Sequence, residues 1–261
     1  MHVFVIPVYG ESPYLEKCIQ SLLHQTVKSK IIITTSTPTA FAQYLALQYN
    51  IPYFINDAST GIADDWNFAL LNSADQLVTL AHQDDIYEPN FTALVLKELT
   101  KAGNKKVLMI FTDYMDLIAS ETRKHSLNRL VKNCLLLPFL IRKSISNSFF
   151  KKLPLLFGDP ICCPTVTLNL KEMPDLKFST TYKCVLDWHA WYTMAERSGA
   201  FIFINQQLVQ HRIHPDSETT KQLYDGGRHK EELQIFEMIW GKQRAKWLCN
   251  IYAFGHKNNR N

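Results

Sequence analysis

The sequence predicts an α/β fold: a mainly parallel, doubly wound sheet flanked by helices, with a helical extension at the C-terminus. Over the first 115 residues, short apolar runs alternate with segments of helical periodicity. This alternation is typical of parallel strands joined by helices that cover both faces of the sheet. The last forty residues have an amphipathic helical pattern. We therefore expect one domain over residues 1–220 and a helical extension over residues 221–261.

Strands in the first half are indicated by short runs that are rich in aliphatic and β-branched residues. Five runs have this character: Val3–Pro7, Lys30–Thr34, Pro52–Ile55, Leu77–Ala81 and Val107–Thr112. The helices between them have recognisable ends. Ser12 followed by Pro13 predicts a helix start. Apolar spacing predicts a second helix from about Ala63, and a third helix begins at Pro89 and ends at Gly103, which suits a left-handed C-cap.

The alternation breaks after residue 112, where the elements become less regular. Residues 116–160 predict irregular helices. Further along, the pattern predicts a buried strand over Pro164–Leu170 and a helix over Leu186–Arg197, which ends before Gly199. Two short strands are then predicted over Ala200–Asn205 and Gln207–Arg212.

Composition restricts the class of protein. The chain has 261 residues and no apolar stretch near the roughly 18 residues that a membrane span requires. It begins in a strand pattern, without the basic and apolar regions of a signal peptide. The six cysteines have no CxxC spacing, which favours reduced thiols and a cytoplasmic location.

Positive charge is concentrated in one segment, although the net charge of the whole chain is only +4. Between residues 120 and 152, Glu121 opposes eight basic side chains: Arg123, Lys124, Arg129, Lys132, Arg142, Lys143, Lys151 and Lys152. The segment also contains the apolar run 135–141. It therefore predicts peripheral contact with anionic membrane or binding of a diphosphate ligand; the alternative is a solvated helical face with a buried stripe. We expect no nucleic-acid partner, because no recognition helix or stacking aromatic signature accompanies the charge.

The most informative motif is His82-Gln83-Asp84-Asp85, which follows a strand-like run. Two carboxylates at the carboxyl end of a strand lie where an α/β sheet binds ligands. A divalent metal would neutralise their charge, whereas the alternative is a helix N-terminus that favours acidic residues. The chain has neither a GxGxxG nor a GxxxxGK[ST] motif. A metal would therefore have to hold any diphosphate in place of those loops.

Three segments resemble, in order, blocks of the family-2 glycosyltransferases of the GT-A fold. The first is IPVYGESPYLEKCIQSLLHQT, with a strand, a Pro-x-Tyr turn and a helix. The second is GIADDWNFALLNSADQLVTLAHQDDIYEPNF, which contains the DxD-type metal motif. The third is VLDWHAWYTMAERSGAFIFINQQLVQHRIHPDSET, in which an aspartate opens a helix and a later loop reads RxHPxS.

The resemblance implies inverting transfer of a sugar from a nucleotide-diphosphate donor to an acceptor hydroxyl. Residues 1–115 would form the nucleotide-sugar half and residues 116–220 the acceptor half. The implied cofactor is a divalent metal, Mn²⁺ or Mg²⁺. The implied acceptor is a saccharide or a lipid-linked saccharide, in bacterial surface polysaccharide or lipopolysaccharide biosynthesis at the cytoplasmic membrane face.

The resemblance also implies roles for individual residues. Asp85 would bind the metal, Asp84 would share that role or hold the donor ribose, and His214 would be a third ligand. Asp187 would take the proton from the acceptor. The residues implied to contact the nucleotide are Pro7, Val8, Tyr9 and Glu11.

The chain departs from the family pattern in three places, and one of them is Gly10 in the first turn, where asparagine is frequent in the family. The second strand ends in Ile33-Thr34-Thr35-Ser36, without the usual acidic residue. Nearby candidates for that contact are Asp57, Asp64 and Asp65. His82 occupies the first acidic position of the metal motif. These departures affect the identity of the nucleotide more than the reaction.

Several alternatives stay open. Asp187 could merely cap its helix, with Trp188 and Trp191 in the core; otherwise the two indoles could form a low-dielectric wall or a sugar platform. His214 could belong to a structural turn. A glycoside hydrolase would also use two carboxylates, but on separate elements and without a metal. A non-catalytic nucleotide-sugar-binding or scaffold protein is the other class.

Overall fold

The computed structural model describes residues 1–59, 61–74, 76–118, 121–123, 127–215 and 227–257. Within these ranges ten strands form one open sheet. The strands are β1 His2–Val8, β2 Lys30–Thr35, β3 Tyr53–Ile55, β4 Leu77–Leu80, β5 Ile86–Tyr87, β6 Val107–Ile118, β7 Glu121–Arg123, β8 Ser144–Ile145, β9 Val166–Asn169 and β10 Ala200–Ile213. The helices are α1 Leu15–Leu23, α2 Ala40–Gln48, α3 Ile62–Leu71, α4 Phe91–Ala102, α5 Leu127–Leu135, α6 Leu137–Ile141, α7 Ser148–Lys152, α8 Leu186–Met194, α9 Gly227–Trp240 and α10 Lys242–Lys257.

The sheet confirms the predicted fold class. Its main strand order is β3-β2-β1-β4-β9-β6-β10-β5. β1 pairs in parallel with β2 and β4, β2 with β3, and β6 with β10. β9 runs antiparallel between β4 and β6, so the two parallel groups have the same direction. The short strands β5, β7 and β8 pair antiparallel at the side of β6 and β10.

Helices cover both faces of the sheet, because each face presents its own apolar core. Alternate residues of β1 point to opposite faces, with Val3 and Val5 in one buried cluster and Phe4 and Ile6 in the other. The cluster around Phe4 takes in α1 and α2. The cluster around Val3 contains buried residues of α3, α8, α9 and α10. The C-terminal helices therefore share a core with the sheet.

Several predicted elements differ in extent from the observed ones. The helix α2 was not predicted, because only three of its residues are buried and its pattern is weak: Ala42, Leu45 and Ala46. Residues 116–118 extend β6 instead of starting a helix. The two short strands predicted after Gly199 form one strand, β10, with register shifts between Ile204 and Val209 where the interruption was expected. The predicted C-cap Gly103 has a φ of 58°, as the left-handed conformation requires.

The predicted domain boundary near residue 220 falls in 216–226, outside the described residues. None of the helices in the described part of the chain is both long and apolar enough to cross a membrane. All six cysteines are free thiols.

Candidate active site

The site lies at the carboxyl ends of β1 and β4, which are neighbouring parallel strands. The side chain of Gln83 joins the two loops that follow these strands. Its Oε1 accepts a hydrogen bond from the Tyr9 N–H at 3.2 Å, and its Nε2 donates to the Tyr9 carbonyl at 3.1 Å. The His82-to-Asp85 segment is thereby held beside the loop that begins at Tyr9.

The residues implied to contact a nucleotide differ in their exposure. The ring of Tyr9 is 66% exposed, and Glu11 is also exposed. Pro7 is half-buried at the end of β1. The side chain of Val8 is buried in the core, so a nucleotide can reach only its backbone.

The carboxylate of Asp65 lies at the ends of the second and third strands, although it belongs to α3. Its Oδ2 accepts from the Ser36 hydroxyl at 2.8 Å, and its Oδ1 accepts from Asn56 Nδ2 at 3.2 Å. Ser36 and Asn56 directly follow β2 and β3. A side chain distant in sequence thus supplies an acidic group where the second strand lacks one, while Asp57 is exposed in the loop after β3.

The segment His82–Asp85 forms an acidic loop that can bring several ligand atoms to one cation. His82, Asp84 and Asp85 each offer one ligand atom, and these atoms lie within 4.8 Å of one another. His82 Nε2 is buried and has no hydrogen-bond partner among the described residues. His214 Nε2 lies 2.9 Å from Asp84 Oδ2. The structure therefore brings the predicted ligands His214 and Asp84 together.

Asp85 is fully buried, and its carboxylate is engaged by β10. Its Oδ1 accepts from the Arg212 N–H at 2.8 Å, and His211 Nδ1 lies 3.1 Å from Oδ1 and 3.3 Å from Oδ2. Burial opposes ionisation, but His211, His82 and the Arg212 N–H outweigh it and lower the pKa of Asp85. Burial likewise opposes the charge on His211, but Asp85 and Asp84 raise the pKa of His211 to about 8. The two groups form an ion pair at neutral pH.

The guanidinium of Arg212 completes the connection between β10 and the acidic loop. Its Nε donates to the Asp84 carbonyl at 2.9 Å, and its central carbon lies 4.2 Å from the centre of the Tyr14 ring. The same ring packs edge-on against His214. Sequence reasoning missed His211, Arg212 and Tyr14, and the RxHPxS pattern was the signal that could have indicated Arg212.

Asp187 occupies the first turn of α8, where its Oδ1 accepts from the Trp188 N–H at 2.9 Å. Burial raises the pKa of Asp187, although Arg228 and His82 oppose the shift. Trp188 and Trp191 are each only 1% exposed. The hypothesis of a sugar platform is therefore wrong, and both indoles belong to the core beneath the carboxylate.

The charge of one side chain acts on both Asp187 and the acidic loop. His82 lowers the pKa of both Asp85 and Asp187, so it lies near both carboxylates. Burial raises the pKa of the Cys162 thiol, and Asp85 and Asp187 raise it further. Asp159, which sequence reasoning missed, adds another carboxyl group. Burial and the neighbouring Asp187 hold its pKa well above the usual range.

Comparisons with known proteins agree with this architecture. A protein of Rickettsia typhi, named uncharacterized glycosyltransferase RT0329, is 25% identical over 97% of this chain and 79% of its own length. The crystal structure of S. aureus TarS 1–349 superposes with a TM-score of 0.60 at 12% identity. The match covers 90% of this chain but 64% of the TarS chain, so this chain spans less than two thirds of TarS 1–349.

A second solved structure is glucosyl-3-phosphoglycerate synthase from Mycobacterium tuberculosis, in complex with Mn²⁺, UDP and glucosyl-3-phosphoglycerate. It superposes with a TM-score of 0.60 at 15% identity, over 92% of this chain and 80% of that chain. At these identities the two structures bear on the fold. The family model for glycosyl transferase family 2 matches residues 3–173, which include the acidic loop. This protein belongs to glycosyl transferase family 2.

Proposed function

We propose that the protein transfers a sugar, with inversion, from a nucleoside-diphosphate donor to an acceptor hydroxyl. The observation that carries the proposal is the acidic loop, whose ligand atoms lie within 4.8 Å of one another, together with the separate, half-buried carboxylate of Asp187, whose pKa burial raises. Departure of a diphosphate needs neutralisation of its charge, and attack by a hydroxyl needs removal of a proton. We assign the first function to the acidic loop and the second to Asp187.

The donor atoms at the acidic loop fit a divalent cation. Asp84 and Asp85 offer carboxylate oxygens, and His82 and His214 offer imidazole nitrogens. Carboxylates suit Mn²⁺ and Mg²⁺, whereas imidazole suits softer metals than Mg²⁺, so the set favours Mn²⁺. When bound, the cation would act as a Lewis acid on the diphosphate. Because His211 and Arg212 already engage Asp85, we assign the principal ligand role to Asp84 and His214.

The nucleotide would lie against the loops after β1 and β2. Tyr9 and Pro7 offer an exposed ring and a half-buried ring for the base. Asp65 would contact the base or ribose in place of an acid on the second strand, and Glu11 lies at the rim of the same loop. The UDP complex of the mycobacterial synthase supports a uridine nucleotide as the first donor to test.

Asp187 is the proposed general base. Its raised pKa makes it a stronger proton acceptor than an exposed aspartate, and it lies on a different element from the acidic loop. A base on a separate element can approach the acceptor from the side of the sugar opposite the leaving diphosphate. This arrangement matches direct displacement with inversion.

The experiment that tests the proposal is a thermal-shift panel of nucleotide sugars, with and without Mn²⁺. A ligand at one hundred times its Kd stabilises the folded state by about 2.7 kcal/mol, which corresponds to a rise in Tm of about 5–11 °C in a protein of this size. We expect one nucleotide class to produce this shift only with Mn²⁺, and its sugar to be released or transferred on incubation with saccharide acceptors.

Two outcomes of the panel would contradict the proposal. Binding without turnover towards any acceptor would favour the alternative of a nucleotide-sugar-binding or scaffold protein. Hydrolysis of glycosides that is insensitive to chelator would favour a glycoside hydrolase.

We further propose that the protein contacts anionic membrane, where a lipid-linked saccharide would be its acceptor. On α6 and α7 large apolar side chains point to solvent; Ile141 is 80% exposed and Phe149 64% exposed. Arg142 and Lys143 are exposed between these helices. Exposed apolar residues flanked by basic residues are typical of surfaces that dock on anionic lipid.

The structure removes Lys151 from this surface. Lys151 is fully buried and donates to the carbonyls of Arg197 and Gly199 at 2.7 and 2.9 Å. Lys152 forms an ion pair with Glu196 at 2.7 Å. The sequence-based prediction that Lys151 contributes to lipid binding is therefore wrong, and Arg142 and Lys143 are the residues to test.

Neutralising Arg142 and Lys143 together by glutamine should weaken binding to phosphatidylserine-containing vesicles by about thirtyfold, since each basic residue near an anionic surface contributes about 1 kcal/mol. Vesicle sedimentation measures the effect. The matched control is the double change of Lys97 and Lys105, two exposed lysines on and after α4. Equal weakening by both double variants would indicate an effect of net charge and remove this surface from the proposal.

A further inference from the structure

Glu231 binds the backbone segment that leads into α8. Its carboxylate accepts from the Lys183 N–H at 2.9 and 3.0 Å, from the Cys184 N–H at 2.8 Å and from the Val185 N–H at 3.4 Å. Helix α8 begins at the next residue, and its first N–H groups have no partners within the helix. A carboxylate at this position is favoured by charge-assisted hydrogen bonds and by the helix dipole.

The other end of the same segment is also fixed by a side chain. Asn67, on α3, accepts from the Phe178 N–H at 2.7 Å and donates to the Phe178 carbonyl at 2.9 Å. Residues 178–185 are thus anchored to α3 at one end and to α9 at the other. The position of the first turn of α8, which carries Asp187, depends on both anchors.

Helix α9 is itself firmly placed. Ile235 and Phe236 are buried in the core, and the Phe236 ring meets the Trp188 ring edge-on at 5.2 Å. On the same helix, Arg228 Nε donates to the buried Glu232 at 2.7 Å. The charge of Arg228 lowers the pKa of Asp187, so the helix also acts on the carboxylate electrostatically.

We propose that Glu231 is a positioning residue for the general base, and this inference rests on the proposed role of Asp187. Glu231 holds the backbone of residues 183–185 so that the Asp187 carboxylate stays within reach of the acceptor hydroxyl. Displacement of a reacting group by about 1 Å can cost about a hundredfold in rate. Glu231 lies outside the family match, which ends at residue 173, so this anchor belongs to the C-terminal part of the chain.

The test is Glu231→Gln in the full chain. A glutamine side chain has only one oxygen that can accept hydrogen bonds from the backbone N–H groups, because its amide nitrogen is a donor. Glu237→Gln is the matched control, with the same chemical change on the same helix. Three quantities are measured: the Kd for UDP with Mn²⁺ by calorimetry, the turnover rate with the nucleotide sugar that gives the largest thermal shift, and amide hydrogen exchange over residues 183–189.

We expect Glu231→Gln to lower turnover about 10- to 100-fold, to speed exchange over residues 183–189, and to leave the UDP Kd within about twofold. Glu237→Gln should change none of these quantities. Faster exchange with unchanged turnover would overturn the positioning role. A loss of UDP affinity as large as the loss of turnover would also overturn it, because it would indicate a general structural effect. If the Asp187→Asn variant turns over as fast as the unaltered protein, the proposed role of Asp187 fails instead, and no turnover by the unaltered protein would mean that the proposed function fails.

Discussion

Replacing Asp187 by asparagine is expected to lower the rate of sugar transfer by about 10²- to 10⁴-fold, the usual contribution of a general base. Asparagine keeps the shape of the side chain and can still accept from the Trp188 N–H, as Asp187 Oδ1 does at 2.9 Å. It cannot take a proton from the acceptor. The change is measured as the rate of nucleoside-diphosphate release with the donor and acceptor that the panel identifies.

The pH dependence provides a second measure of the same role. Burial raises the pKa of Asp187, and the base must be ionised to work. The rate of the unaltered protein should therefore fall towards acid, and at a higher pH than an exposed aspartate would give. In the Asp187→Asn variant, this fall in rate towards acid pH should be absent.

The control for this substitution is Asp175→Asn, since Asp175 is exposed and pairs with Arg197, which follows the other end of α8 from Asp187. It should leave both the rate and the pH profile unchanged. Retention of most of the rate by Asp187→Asn would show that another group takes the proton. Asp159 would then be the first candidate, because it lies near enough for Asp187 to raise the pKa of its carboxyl group.

Replacing Asp84 by asparagine should abolish the Mn²⁺-dependent part of nucleotide binding, raising the Kd for UDP by more than about a hundredfold, since even partners of metal ligands contribute 10- to 100-fold. Asp84 offers a carboxylate oxygen 2.9 Å from His214 Nε2, and it is less buried than Asp85. Calorimetry with and without Mn²⁺ separates the metal-dependent affinity from any residual affinity.

Asp85→Asn provides an instructive comparison. This change also breaks the ion pair with His211, whose side chain is 30% exposed, and so removes the counter-charge of a partly buried imidazolium and destabilises the fold. We therefore expect Asp85→Asn to lose both stability and binding, and Asp84→Asn to lose mainly binding. Asp187→Asn should leave the UDP affinity unchanged. Mn²⁺-dependent binding that survives in Asp84→Asn would remove Asp84 from the metal site.

The sequence predicts those parts of the site that follow directly from local pattern. The acidic loop could be placed at the sheet edge because it follows an apolar strand, and parallel strands bring their carboxyl ends together. Asp187 could be proposed as a site residue because it opens a helix within the third family-like segment. The α/β class followed from the alternation of strands and helices.

The partners of these residues could not be predicted, because they depend on contacts between distant segments. His211 meets Asp85 across 126 positions of sequence. That contact requires β10 to be one strand of 14 residues, whereas the sequence pattern was interrupted near Gln207. Glu231 was missed for a similar reason, because a helix pattern does not reveal which backbone groups a carboxylate on its surface will meet.

The strand β10 has a consequence for how the protein is made. It pairs with β6 from Ala200 to Ile213, its residues His211 and Arg212 engage Asp85, and His214, directly after it, contacts Asp84. During synthesis, the ribosome must pass residue 214 before the acidic loop meets these partners. A nascent chain that ends at residue 173 includes the whole family match but lacks β10 entirely. Such a truncated product would leave Asp84 and Asp85 without the groups that contact them, so the proposed cation site is assembled only late in translation.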